Sequence, residues 1–314
     1  MLTKVKGCDM INIKKETMKK SWFVCLGAMV CCFLWGSAFP SIKVGYKLFE
    51  IGASDTAAQI LFAGCRFFLA GIMTVIIGSV IQGTFLKPGK KSLSKICTIA
   101  MLQTVVQYFF FYVGLAHTTG VKASIVEASS VFAAIIISSL IFKQESLNSK
   151  KIAGCIIGFA GVVIINLTGV DMKFNFFGEG FILLSAISYA ASSVFIKSYS
   201  KTENPVMLSG YQFILGGLIM MAGGYVSGGR LTAFSLSAGA ILLYMAFISA
   251  VAYTIWGILL KYNPVSKVTV FGFMNPLFGV ILSSVILGEG TAFDIKGVAA
   301  LILVCVGIFV VNKE

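Results

Sequence analysis

Trp35–Lys43 reads WGSAFPSIK and Tyr189–Lys197 reads YAASSVFIK. Both stretches open on an aromatic ring, run through small residues and close on Ile-Lys. Working outward, Arg66 opens RFFLAGIM where Gln212 opens QFILGGLIM, and Val131 opens VFAAIIISSL where Pro276 opens PLFGVILSSV. Gly161 opens GVVIIN and Gly307 opens GIFVVN. The matches keep one order and a nearly constant offset, so the chain is a tandem duplication.

Each copy is too apolar for water. Hydrophobic residues make up 58% of the 314 positions and charged residues 12%, and the mean hydropathy is +0.94. Soluble domains run at roughly 45–50% apolar and about 25% charged. Crossing a hydrocarbon core takes about 20 apolar residues, and ten segments qualify. They are Ser21–Ile42, Ala57–Gln82, Lys95–Leu115, Lys122–Phe142, Ile152–Thr168, Gly178–Tyr199, Pro205–Ser227, Leu236–Leu260, Val268–Leu287 and Ile295–Val311. The fifth is short, which tilt or local thinning of the bilayer accommodates. Five spans per copy is an odd number, so the copies must enter the membrane from opposite sides. The expected fold is an all-α integral membrane protein of ten transmembrane helices in two inverted-topology five-helix repeats. Its parts are a Lys-rich segment 1–20, a first repeat 21–169 and a second repeat 175–312, divided at Gly169–Phe177. Repeats of this kind are typical of secondary transporters, with the substrate site at their interface near the midplane.

The net charge of +13 does not signal a nucleic-acid partner. With the N-terminus in the cytoplasm, Lys43, Lys47, Lys122, Lys173, Arg230 and Lys296 fall outside and Arg66 within a span. Every other Lys falls inside. Short cytoplasmic loops carry such an excess, which places both termini in the cytoplasm of a cell (plasma) membrane, bacterial by its composition and short loops. Lys-rich residues 14–20 and Gly36-Ser37-Ala38 have the form of a secretory signal. The second copy carries the matching helix internally, so the first helix is read as permanent. The eight cysteines form neither CxxC nor a Cys/His cluster, which leaves no metal or disulfide framework. GTFLKPGKKS at Gly83–Ser92 misses phosphate-loop spacing, and no dinucleotide, haem or hydrolase motif occurs. No cofactor is expected.

These residues carry a family resemblance. Trp35-Gly36-Ser37, Ile42-Lys43, Arg66-Phe67, Pro276, Gly288-Glu289 and the helix-five pair Gly154 and Gly161, echoed by Ala300 and Gly307, resemble the EamA family of the drug/metabolite transporter superfamily. The resemblance spans about residues 22–312. It implies ten helices around a central cavity walled by both halves, and export or exchange of small organic metabolites. The first copy departs from the pattern at Val131, where the second has Pro276.

Ionisable groups within a bilayer cost at least roughly 2.5–3.5 kcal/mol each and mark function or a buried pair. Arg66 and Glu127 are the two here. Arg66 is either structural, satisfied by carbonyls or by Glu127, or part of the pathway. Glu127 is a counter-charge for an amine or a proton carrier, making protons a candidate coupling ion. Lys43 and Lys197 close equivalent helices, as snorkelling cations or as a pair meeting anionic groups. Trp35, Tyr108, Tyr112, Tyr189, Tyr253 and Trp256 fall in helices one, three, six and eight, the cavity-lining helices implied by the resemblance. Aromatic walls suit apolar or cationic ligands; an interfacial belt is the competing explanation. Asn275-Pro276 interrupts helix nine and offers a midplane binding element. Glu145 and Glu289 read as structural.

The expected function is alternating-access transport of a small organic metabolite such as an amino acid, amine or xenobiotic, most simply export or exchange. A passive facilitator is the alternative. An integral-membrane enzyme acting on lipid-like substrates would need clustered acids or histidines, and His117 is the single histidine. The partners are therefore a small-molecule solute and the lipid bilayer.

Overall fold

The computed structural model describes residues 16–52, 54–118, 120–166, 174–287 and 295–313, and among them every regular element is helical. Helix α1 is Ser21–Leu48 and α2 is Thr56–Gln82. Helix α3 runs Ser92–Ile99, a π-helical Ala100–Val106 and Gln107–Ala116. Helix α4 runs Gly120–Glu127, Ser130–Ile136 and a π-helical Ile137–Ile141, and α5 is Ser149–Asn166. Helix α6 joins Phe176–Gly180 to Phe181–Tyr199, α7 is Pro205–Val226 and α8 is Leu236–Tyr262. Helix α9 runs Val265–Thr269, a 3-10 turn Val270–Phe273 and Met274–Leu287, and α10 is Ile295–Asn312.

Eight of these helices, all but α4 and α5, are long and apolar enough to cross a membrane. Helix α4 offers a shorter apolar stretch, Ile125–Ile141. The chain is an all-α, multi-pass membrane protein. Helix ends follow local chemistry. The Asp55 carboxylate accepts from Ala58 N at the start of α2, and the Asn204 side chain accepts from Val206 N ahead of Pro205 at the start of α7. Gly83 closes α2 in the left-handed region at φ +66°. Of the expected boundary between copies, residues 169–173 lie outside the described residues, as do Gly288-Glu289 and most of segment 1–20.

Helices α2 and α7 pack through small residues. A Cβ added at Gly71 would stand 2.6 Å from the Gly210 carbonyl oxygen, and one at Gly217 2.9 Å from that of Gly64. Partner numbers fall on α7 as they rise on α2, so the helices are antiparallel. Helices α5 and α10 repeat this, with a Cβ on Gly154 2.7 Å from the Gly307 oxygen and one on Gly161 2.7 Å from the Ala300 oxygen. Lipid supplies no hydrophobic drive between helices, so close backbone approach holds them.

The interior is uneven along the bundle. Toward the N-terminal end of α1 it is filled by Val24, Ala28, Cys31, Cys32, Val194, Leu259, Leu260 and Val268. Cys31 and Cys32 are buried free thiols whose Sγ–H groups donate to the Ala252 and Phe271 carbonyls. Toward the other end Phe49, Phe62 and Met245 pack between α1, α2 and α8. The space between these layers holds the site.

Candidate functional site

Seven helices, α1, α2, α3, α4, α6, α8 and α9, surround a cavity of about 140 Å³. A single water needs roughly 10–15 Å³, so the chamber admits solvent and a small solute. Its position follows from two interruptions. Helix α4 breaks at Ala128 and Ser129, where Ser129 N and Val131 N bond three residues back, to Val126 O and Ala128 O. Helix α9 tightens into its 3-10 turn just before Asn275-Pro276. Val131 and Pro276 occupy the same place in the two copies, so the breaks are equivalent although only one contains proline. Pro276 has no N–H to offer the Gly272 carbonyl one turn back, and Gly272 lines the cavity beside Glu127, Ala128 and Ser130.

Seven of the residues singled out in the sequence reach the wall: Trp35, Arg66, Tyr108, Glu127, Tyr189, Tyr253 and Asn275. Four wall residues hold a buried polar atom without a protein partner: Trp35 Nε1, Gln107 Oε1, Glu127 Oε2 and Asn275 Oδ1. Buried polar atoms are rarely left unpaired, because each costs about 1–3 kcal/mol. All four belong to residues that line one cavity, an arrangement suited to water or a polar ligand.

Arg66 is 2% exposed. Its Nε and Nη2 donate to Ser249 Oγ at 3.1 and 3.0 Å, and its guanidinium carbon lies 5.0 Å from the Phe67 ring centre. Among the described residues Arg66 and Glu127 form no ion pair, although both face the same chamber. Arg66 is therefore satisfied by a hydroxyl, not by the carboxylate that the sequence offered as its partner. On the aromatic side the Tyr108 and Tyr253 hydroxyls share a hydrogen bond of 3.2 Å. The Trp35 ring meets Tyr253 edge-on at 5.1 Å and Trp256 at 4.9 Å.

The other four candidates lie elsewhere. Trp256 backs Trp35 from within the packed layer, and Tyr112 packs behind Tyr108 at 6.2 Å between ring centres. Lys43 is exposed on α1, more than a turn before its end at Leu48. Lys197 Nζ donates to the Leu260 carbonyl at 3.1 Å and the Asn263 carbonyl at 2.5 Å, capping the end of α8.

Two polar clusters were not anticipated. Thr104 donates to Gln212 Oε1 at 2.7 Å, Gln212 Nε2 to Gln103 Oε1 at 3.2 Å and Gln103 Nε2 to Ser192 Oγ at 3.2 Å. The signal was present, since Gln212 stands where the first copy has Arg66, and Thr104 where the second has Ser249. The other cluster centres on Glu145, beyond the last turn of α4. It accepts from Ser138 Oγ at 2.7 Å, Lys151 Nζ at 2.7 Å, Ser266 N at 3.0 Å and the Ser266 hydroxyl. Burial pushes this carboxyl up, but the hydrogen bonds from Lys151, Ser266 and Ser138 outweigh it and hold it below the usual carboxylate range.

The sequence model of the EamA-like transporter family matches residues 22–167 and again residues 176–313. The chain belongs to the EamA-like transporter family. It is 26% identical over 300 residues to an uncharacterized transporter of Archaeoglobus fulgidus, covering 94% of this chain and 99% of that one. It is 27% identical to the inner membrane transporter YedA of Escherichia coli, covering 84% and 83%. A solved crystal structure at 16% identity superposes with a TM-score of 0.73 over 92% of this chain and 96% of its own, which shows the shared fold. As an EamA-family member of the drug/metabolite transporter superfamily, the chain is a multi-pass membrane transporter. The family's bacterial inner-membrane relatives agree with a plasma-membrane location.

Proposed function

We propose that this EamA-family chain is a secondary transporter working by alternating access, with the cavity between α4 and α9 as its substrate site. It moves a small organic metabolite, by export or exchange as the family resemblance implies. One observation carries the reading: the residues that line one cavity, where two equivalent helices break, hold several buried polar atoms without protein partners.

In this reading α4 and α5 also span the membrane, giving ten helices in two inverted repeats, 21–169 and 175–312. Reciprocal contacts support it. Gly64 and Gly210 are equivalent positions, as are Gly71 and Gly217, and the contacts run Gly64 to Gly217 and Gly71 to Gly210. Arg66 reaches Ser249 in α8, while its counterpart Gln212 reaches Thr104 in α3. Such crossing-over is what a two-fold axis in the membrane plane produces. The Lys-rich loops put both termini in the cytoplasm, so the packed layer below Trp256 closes the cytoplasmic side and the substrate waits above it.

Glu127 is the cavity's carboxylate, and we assign it the coupling role. The test is uptake of a metabolite panel into proteoliposomes, with and without a pH gradient, comparing wild type with Glu127→Gln. The variant should lose gradient-driven accumulation by at least tenfold. Full gradient-driven accumulation by Glu127→Gln would overturn the coupling role of Glu127, and transport indifferent to the gradient in both proteins would make the chain a passive facilitator.

A further inference from the structure

A second cavity, of about 440 Å³, lies at the Lys-rich end of the bundle and shares no lining residue with the central chamber of about 140 Å³. It opens between Gln82 at the end of α2, the loop Lys201–Asn204 ahead of α7, Lys261 and Tyr262 at the end of α8, and Met18 ahead of α1. Small-molecule sites run to about 300–1,000 Å³, so the groove has the room of a binding site. The transport reading gives it no task.

Its charge is one-sided. Three charged residues line it, Lys201, Glu203 and Lys261. Glu203 is matched from outside the groove, since Lys95 Nζ lies 2.7 Å from Oε1 and Ser92 Oγ donates to Oε2 at 2.9 Å. With that acid compensated, the two lysines set the sign of the groove. The start of α7 adds little, because Asn204 Oδ1 already accepts from Val206 N at 2.9 Å and Met207 N at 3.4 Å. A lysine in the last turn of a helix suits the negative end of its dipole, which accounts for Lys261 on α8. Lys201 stands exposed in a loop, and a lysine that only sets topology needs no groove beside it.

The groove also meets the lipid boundary. Ile258 precedes Lys261 and Tyr262 by three and four residues, so the three share one face of α8, apolar first and charged at its end. On α2, Val80 and Ile81 are 75% and 78% exposed immediately before Gln82, and Phe85 is 62% exposed just after it. Apolar surface on one side and cations on the other match an amphiphile with an anionic head. Basic pockets between membrane helices on the cytoplasmic side hold such headgroups. The chain's own Lys-rich segment fits poorly, because residues 1–15 carry Lys4, Lys6, Lys14 and Lys15 against Asp9 alone.

We propose that this groove binds the phosphate headgroup of an anionic phospholipid of the cytoplasmic leaflet, held by Lys201 and Lys261, with its acyl chains along the ends of α2 and α8. A headgroup so held fastens the loop between α6 and α7 to the end of α8. The site stands apart from the central cavity and does not depend on what that cavity carries.

The test is binding to the purified full chain in uncharged detergent, read by native mass spectrometry and by thermal melting. The probes are phosphatidylglycerol, phosphatidylcholine and inorganic phosphate. Phosphatidylglycerol should raise the melting temperature and bind about tenfold or more tightly than phosphatidylcholine, since each lysine near a lipid surface contributes enough for roughly a fivefold change. Lys201→Gln with Lys261→Gln should erase that preference. Lys90→Gln with Lys91→Gln removes two exposed lysines outside the groove and should keep it. Because Lys261 is half-buried at a helix end, Lys201→Gln alone serves as a second variant and should weaken phosphatidylglycerol by roughly fivefold. Equal binding of the two lipids, or an undiminished preference in both Lys201 variants, would overturn the site. Equal losses from the groove pair and the Lys90–Lys91 pair would reduce it to diffuse surface charge. Stabilisation by inorganic phosphate equal to that by phosphatidylglycerol would assign the groove to a free anion and overturn the lipid.

Discussion

Arg66 and Gln212 show how one position diverged after duplication. Each sits on a helix that packs against its own counterpart, and each reaches a hydroxyl on the third helix of the other copy. The first copy spends its version on a charge facing the cavity, whereas the second ties α7 to α3 and α6 through Thr104, Gln103 and Ser192. Ser249 is thus a positioning residue for Arg66. Replacing it with Ala leaves a buried guanidinium without its hydroxyl acceptor, and hydrogen bonds to charged groups contribute about 1.5–3 kcal/mol. Ser249→Ala should lower the melting temperature in detergent by several degrees, while Ser237→Ala, at an exposed helix start, should change it little. Equal melting of the two variants would show that Ser249 does not hold Arg66.

At the scale of elements, small residues decide which helices touch. A Cβ at Gly71 would meet the Gly210 oxygen and the Ile214 nitrogen, both at 2.6 Å, and backbone cannot yield as a side chain can. Gly71→Val should therefore cost more than the ~1–3 kcal/mol usual for overpacking, and should appear as aggregation or loss of monodisperse protein. Gly223, on the outer face of α7, has nothing within 4 Å of the added Cβ. Gly223→Ala should be neutral or stabilising by up to about 1 kcal/mol, through helix propensity. Comparable damage from both changes would mean that α2 and α7 do not pack in this way. The breaks in α4 and α9 belong to the same scale. Proline explains one, but the other forms at Ala128-Ser129 without it, so the shared geometry is imposed by packing and not by one residue type.

For the molecule as a whole, a filled layer lies at one end of the bundle with the cavity above it, which in the proposed cycle is the state closed on the Lys-rich side. Glu145 ties that closure together, joining the end of α4 to the starts of α5 and α9 through Ser138, Lys151 and Ser266. Lys197 feels the Glu145 charge, and Lys201 and Lys19 in turn act on Lys197. The Glu145 carboxyl sits below its ordinary value, so the stability it contributes is present above the unfolded carboxylate range. It is lost as pH falls through the folded value. Melting temperature should drop as pH is lowered below about 4.3, the ordinary glutamate value, and Glu145→Gln should flatten that drop while melting lower at pH 7. An unchanged pH profile in the variant would show that Glu145 bears no part of the closure.

Much of this was legible in the chain. Composition dictated helices, because a lipid-exposed backbone must satisfy its own hydrogen bonds. The matched stretches exposed the duplication. The aromatic and charged candidates were visible as rare groups in apolar runs, and seven of them do line one chamber. Tertiary structure alone decided which of them face it. Trp35 and Trp256 look alike in sequence, yet one is wall and the other packing behind it, because that depends on how α1 and α8 rotate against each other. Lys197 caps a neighbouring helix for the same reason. The Arg66–Ser249 contact and the hub at Glu145 join residues far apart in the chain, and no local periodicity encodes such distances. Sequence prescribed the helices and their kinship; only their packing assigned each polar group a partner or left it facing the cavity.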